Sequence, residues 1–288
     1  MTTLYDAHVH MALTGFDYRS ALAQHVPAPD DEAIRRTLAA YQAAGVRYVR
    51  DGGDKYDAGL RAAQLARDFD IAYASPAFPI HQKGNYGAFI GRGFQTLADF
   101  RSLVDEALAS GATFIKVMAS GILDFTTFGR LTGHGLDAGL LASMVAYARR
   151  KGVPVMVHVN GSDTVAAAIR AGADSVEHAY YLNDATLRLL AESDCIWVPT
   201  LAPIHNARAC GLGDARTLQA IEETQTQAVR TVAALGGTIA CGSDAGAGGV
   251  EHVQGAADER SLLEEALGEA ADEVLGTGLS ALQARFPA

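Results

Sequence analysis

Short runs rich in Val, Ile and Ala alternate with longer amphipathic segments eight times along this 288-residue chain, and that alternation leaves few folds open. Strands are expected near Leu4–Met11, Arg47–Gly52, Ile71–Phe78, Thr113–Ala119, Val153–Val159, Ser175–Ala179, Cys195–Leu201 and Thr238–Ala245. Helices fall between them, at Asp30–Ala43, Tyr56–Asp68, Leu97–Ser110, Asp137–Lys151, Ser162–Ala171, Asp184–Ser193, Asp214–Leu235 and about Ala257–Gly276. Asp30, Asp137, Ser162 and Asp184 are potential N-caps. Gly45, Gly111, Gly152, Gly172 and Gly236 stand where helices close. Strand-then-helix units imply parallel strands covered on both faces. Eight such units close a barrel, and about 250 residues suffice for one. The expectation is an α/β protein with one (β/α)8 TIM-barrel domain over residues 1–288. An open doubly wound sheet competes, but no strand leads into GxGxxG or GxxxxGKS/T.

Composition narrows the partners. With 49% hydrophobic and 19% charged residues there is material for a large core. A formal charge of -10 argues against a nucleic-acid footprint, which needs clustered Lys and Arg. Cys195, Cys210 and Cys241 show no CxxC spacing and read as reduced thiols. The first residues carry no basic and apolar leader, and no apolar run reaches the roughly 18 residues of a membrane span. A cytoplasmic protein acting on a small molecule is expected, with a homo-oligomer open.

The chemistry lies at strand ends. In Tyr5-Asp6-Ala7-His8-Val9-His10, alternation puts Asp6, His8 and His10 on one face. Polar groups inside a barrel are costly unless satisfied. Two imidazoles at i and i+2 can share one metal; alone, they could equally be a hydrogen-bonded pair. Lys116 interrupts the apolar strand Thr113–Ala119. It must either meet a carboxylate or lose its proton, and a neutral amine can add carbon dioxide to become an anionic carbamate ligand. His158 ends the strand Val153–Val159, and His178 ends the next. Asp244 ends the last strand, behind the small residues Thr238, Ala240 and Gly242, although it could also be a helix cap. All six would gather at the C-terminal mouth, where TIM barrels place their sites. Imidazole and carboxylate donors suit Zn2+ first and other divalent metals after it.

The glycine-rich stretch Phe78–Thr96 is the expected loop over such a site, and His81 and Tyr86 within it could touch substrate, as could Tyr181 and His205. His25, His134 and His252 read as surface or supporting residues. Arg50 and Asp51 are expected to pair with each other and support the site.

These residues resemble the amidohydrolase superfamily, in its imidazolonepropionase/prolidase-like branch. The matching stretches are Asp6–His10, Gly45–Gly53, Phe114–Gly121, Val157–Gly161, Val176–His178 and Gly242–Gly246, in the family's order from end to end of the barrel. The resemblance implies one or two Zn2+ ions in a binuclear centre. His8, His10 and Asp244 would hold the more buried ion and His158 and His178 the more exposed one, with Lys116 bridging them as a carbamate. It further implies that Asp244 accepts the proton of the attacking hydroxide-forming water and passes it to the leaving amine. His178 or Tyr181 would help polarise the substrate carbonyl. A metal lowers the pKa of bound water from about 15.7 to near 7, which makes hydroxide available at neutral pH.

The chain departs from the family in three respects. Members usually add a β-sandwich from both termini, and this sequence runs only from the first strand to just past the eighth helix. Lys83-Gly84-Asn85-Tyr86-Gly87 replaces a Gly-Gly-His-Gly-like loop, and Asn160 stands where many members have His. The expected reaction is hydrolysis of a C–N bond in a small amide, peptide or cyclic amide. A lactone or ester hydrolase with the same centre, a non-catalytic ligand-binding barrel, and a Schiff-base aldolase using Lys116 remain alternatives.

Overall fold

Alternation along the first strand decides where the interior of this protein lies. In the computed structural model, which describes residues 4–288, β1 (Leu4–Val9) is buried on both faces except at its first residue. It is followed by α1 (Tyr18–Ala23), α2 (Asp31–Ala43), β2 (Val46–Asp51), α3 (Ala58–Leu65), β3 (Ala72–Ala74), β4 (Pro79–Gln82), β5 (Arg92–Phe94) and α4 (Leu97–Ala109). The second half runs β6 (Ile115–Met118), α5 (Ala138–Arg150), β7 (Val155–Val159), α6 (Ser162–Ala171), β8 (Ser175–His178), α7 (Asp184–Ala191), β9 (Ile196–Val198), α8 (Ala202–Ala209), α9 (Ala215–Ala234), α10 (Gln254–Leu267) and α11 (Ala271–Arg285).

All pairings between these strands are parallel, in two sheets ordered β1-β2-β3 and β5-β4-β6-β7-β8-β9. Two features join the sheets into a (β/α)8 TIM barrel. On one side the expected third strand, Ile71–Phe78, is strand only over β3; the chain then turns at Ala77, whose φ of 64° is unfavourable for a residue with a Cβ, into β4, which lies in the expected loop. β3 pairs with β2, and β4 pairs with β6. On the other side segment 238–245 lies between β9 and β1. The Trp197 amide donates to the Thr238 carbonyl, the Ala7 amide to Cys241 and the Asp244 amide to His8. The expected eighth strand is thus present as a hydrogen-bonded segment with isolated bridges at Ile239 and Ala245 rather than as a continuous ladder. Small residues there admit the neighbouring backbone: a Cβ on Gly242 would lie 2.9 Å from the His8 amide nitrogen.

Local signals set the helices. Asp30 and Asp137 cap α2 and α5 as expected, whereas α6 and α7 are capped one residue earlier, at Gly161 and Asn183. All five expected closing glycines have positive φ. The expected helix Ala257–Gly276 divides into α10 and α11 around Gly268. The expected loop Phe78–Thr96 contains β4 and β5, with the turn 83–91 between them. The core runs through the barrel wall and out beneath the helices, where the fully buried Trp197 and Phe114 sit and Phe286 packs edge-on against Phe114. All three cysteines are free, and no helix among the described residues is long and apolar enough to cross a membrane.

Candidate metal centre

Parallel register fixes how deep each strand-end side chain stands. Met118 is level with His158, and Val159 with His178. Lys116, two residues below Met118, is level with Met156 and needs its long side chain to reach upward. Its Nζ lies 3.2 Å from His8 Nε2. His8 Nε2 and His10 Nε2 stand 3.5 and 3.4 Å from the same Asp244 oxygen, Oδ1. Donor atoms of these three residues all lie within 4.8 Å of one another, a group that can hold a metal ion. His178 stacks 5.0 Å from His8 and 4.6 Å from His158 between ring centroids. The six residues expected at the mouth therefore come together. Asp6, on the same face of β1, does not join them. Its two oxygens accept from the Ser243 amide and hydroxyl at 2.8 and 2.6 Å, which ties the first strand to the last.

Buried partners hold the ligand rings. His8 Nδ1 is 2.9 Å from Glu177 Oε2, a close approach outside the alignment of a good hydrogen bond. Both Glu177 oxygens accept from one Arg50 nitrogen, at 2.8 and 3.0 Å. Arg50 is wholly buried, also bonds the Ala7 carbonyl and Ser175 Oγ at 2.8 Å each, and lies 4.4 Å above the Phe286 ring. The expected Arg50–Asp51 pair does not form. Neighbours on a strand face opposite ways, and Asp51 instead accepts from the Met11 amide at 3.0 Å and the Tyr73 hydroxyl at 2.6 Å. His178 Nδ1 is hydrogen-bonded to Thr200 Oγ1 at 2.7 Å, leaving Nε2 for a ligand. His178, Thr200 and Asp244 all have left-handed backbones, with φ of 67°, 50° and 58°. Strain of this kind collects at functional sites, at roughly 1–3 kcal/mol per residue.

The residues fit a divalent metal. Burial, reinforced by the Lys116 charge, holds His158 down to about 3, and burial holds His8 and His178 well below the ordinary histidine range. All three are therefore neutral, the form that binds metal. His158 Nε2 is buried without a hydrogen-bond partner among the described residues, a cost that coordination would remove. Burial also lowers the Lys116 ammonium to about 8, against the pull of Glu177 and Asp244, so a neutral amine is accessible near physiological pH. Gly52 gives His10 its space: a Cβ there would come within 2.3 Å of His10 Cε1.

A sequence model of the amidohydrolase family matches residues 1–278. The chain belongs to that family. Ochratoxinase from Aspergillus niger is 29% identical over 289 residues, which take in 86% of this chain and 58% of the ochratoxinase. The chain thus spans a little over half the length of that curated relative. Among solved structures, A. niger ochratoxinase aligns with a TM-score of 0.76 at 23% identity, over 100% of this chain and 72% of that one. A Xaa-Pro dipeptidase with bound methionine aligns with a TM-score of 0.74 at 20% identity, over 96% and 73%. At these identities the two structures show the shared fold. Members of the family usually bind divalent metals, and His8, His10 and Asp244 form a group able to hold one.

In this amidohydrolase the six residues form the floor of a cavity of about 520 Å3. Of the expected substrate contacts, Tyr86 lines it, with its ring 5.2 Å from that of His158. The other three lie outside the lining. His81 is buried in β4 with Nδ1 3.0 Å from the Gln82 carbonyl, Tyr181 packs edge-on against Phe128, and His205 pairs with Glu222 at 2.7 Å on α8. The sequence reading assigned no role to Glu177 or Thr200. Glu177 had a signal, a carboxylate inside a strand of a barrel covered on both faces, which demands a buried cation. Thr200 had none.

Proposed function

We propose that this chain is a metal-dependent hydrolase that cleaves the C–N bond of a small amide, adding water to give a carboxylic acid and an amine. The observation that carries this reading is the convergence of four imidazoles, Asp244 and Lys116 on the floor of one cavity. His8, His10 and Asp244 would hold one Zn2+ and His158 and His178 a second, with Lys116 as its carbamate between them. Metal bound there would supply Lewis acidity toward both the attacking water and the substrate carbonyl.

The chain's own residues do the rest. Asp244, about 15% exposed and set between the His8 and His10 imidazoles, takes the proton from water and returns it to the leaving nitrogen. Thr200 fixes the His178 ring through Nδ1, which turns Nε2 toward the cavity. Arg50 and Glu177 hold His8 in position from beneath. Tyr86 closes the floor against bulk water over His158. The names of two structural neighbours, a Xaa-Pro dipeptidase and a bottromycin amidohydrolase, agree with C–N cleavage.

Zn2+-reconstituted protein assayed on panels of small amides, dipeptides and lactones tests the proposal. Amide turnover that vanishes with a chelator and returns with metal is the expected result. Lactone opening without amide turnover would overturn the C–N assignment. Ligand binding without any turnover would leave a binding barrel instead.

A further inference from the structure

The floor of the cavity is polar, but its walls are not. Phe16 and Tyr18, after β1, face the rim together with Phe89 from the turn after β4. Ile122 and Phe125, after β6, and Ile204 on α8 also line it. Phe16, Tyr18 and Ile122 remain 66%, 44% and 37% exposed, so large apolar groups stand open to solvent at the mouth, with Arg19 beside Tyr18, its Nε donating to the Tyr18 hydroxyl at 3.2 Å. Two of the polar side chains above the floor already have partners within the protein. Asn160 Nδ2 donates to the Gly121 carbonyl at 3.2 Å while its Oδ1 accepts from the Tyr180 amide at 3.1 Å. The Tyr180 hydroxyl donates to the Thr200 carbonyl at 2.7 Å. Lys116 is the one cationic side chain of the lining, and it sits on the floor against His8. Above the floor, no lining residue offers a carboxylate a guanidinium or ammonium, inside a protein of formal charge -10.

We propose that these walls select uncharged substrates with an aromatic or bulky aliphatic group on the far side of the scissile bond, and reject those bearing a carboxylate there. The proposal rests on the amide-hydrolase reading for its choice of substrate, but it concerns binding and can be read without turnover. An apolar wall strengthens the penalty on an unpaired charge because it can offer no hydrogen bond in exchange for lost water. Aromatic rings gain both area and edge or face contacts from such walls.

The test uses phenylacetanilide and its two monoacids, each with a carboxylate para on one ring, too far from the amide for the acid to reach the floor while the carbonyl sits there. kcat/KM is measured on the Zn2+-loaded protein and Kd by calorimetry. The neutral compound is expected to show a kcat/KM at least tenfold higher and a Kd at least tenfold lower than each acid, about 1.4 kcal/mol. An acid that binds and turns over as well as the neutral parent would overturn the proposal while leaving the hydrolase intact. A tenfold binding preference with no turnover of any amide would uphold it and overturn the hydrolase. Phe16→Arg and Ile122→Arg, at exposed rim positions, are expected to narrow the preference at least fivefold for one acid. No narrowing in either variant would place selectivity elsewhere and overturn the assignment to these walls.

Discussion

Replacing Arg50 by Met removes the counter-ion from a carboxylate that has no access to water. Arg50 and Glu177 are both fully buried, and the guanidinium also satisfies the Ala7 carbonyl and Ser175 Oγ. Removing one partner of such a pair costs roughly 3–5 kcal/mol, mostly because the other charge is left uncompensated. For a chain of this size that corresponds to a fall in Tm of roughly 10 °C. Glu177→Gln in the Arg50→Met background removes the stranded charge, so the double variant is expected to recover at least about 1.5 kcal/mol relative to the sum of the single losses. Trp197, the sole tryptophan and fully buried, reports urea unfolding by fluorescence. A loss below about 1 kcal/mol for Arg50→Met, or strictly additive losses, would refute the coupling of these charges.

Further outcomes follow from the site. Gly52→Ala puts a Cβ 2.3 Å from His10 Cε1, so bound metal per chain should fall while circular dichroism stays native; unchanged metal content would mean His10 is not a ligand. Asp244→Asn should lower kcat at least about a hundredfold, since the proton carrier is lost, with a smaller change in KM. Metal-free protein should lose stability as pH falls from 7 to 5. His8, His158, His178 and His252 are held below 6.5 by burial, so they protonate in the unfolded chain first and their contribution disappears below that pH. Asp6 and Asp54, raised by burial from 3.8 to about 6 and about 7, and Glu259, raised by burial well above 4.5, act in the opposite sense, losing stability as pH rises, but are fewer. A urea midpoint that rose on acidification would contradict that balance.

The parts of the site that follow from alternation were legible in the sequence. His8 and His10 at i and i+2, and single histidines ending two consecutive Val-rich strands, needed only a barrel to bring them together. The parts that depend on broken alternation were not. Glu177 and His178 are adjacent and would face opposite ways in a regular strand, yet both serve the interior because His178 turns into a left-handed conformation. The same alternation rule excludes an Arg50–Asp51 pair, which the sequence reading overlooked by attending to opposite charges alone. The break at Ala77 hid β4 inside an expected loop, and the helical start at Ala202 moved His205 onto α8, out of the cavity. Apolar rim residues such as Phe16 and Phe125 carry no periodic signal, since they stand on irregular segments positioned only by the tertiary fold.

The proposed chemistry requires that the strand ends grip divalent metal. Elemental analysis of protein stripped with chelator and reconstituted with Zn2+ measures it directly, beside a His8→Ala/His10→Ala variant. One to two equivalents per chain are expected in the parent, and a loss of at least one in the variant. Less than a tenth of an equivalent in reconstituted, natively folded parent protein, or equal metal in both, would contradict that requirement.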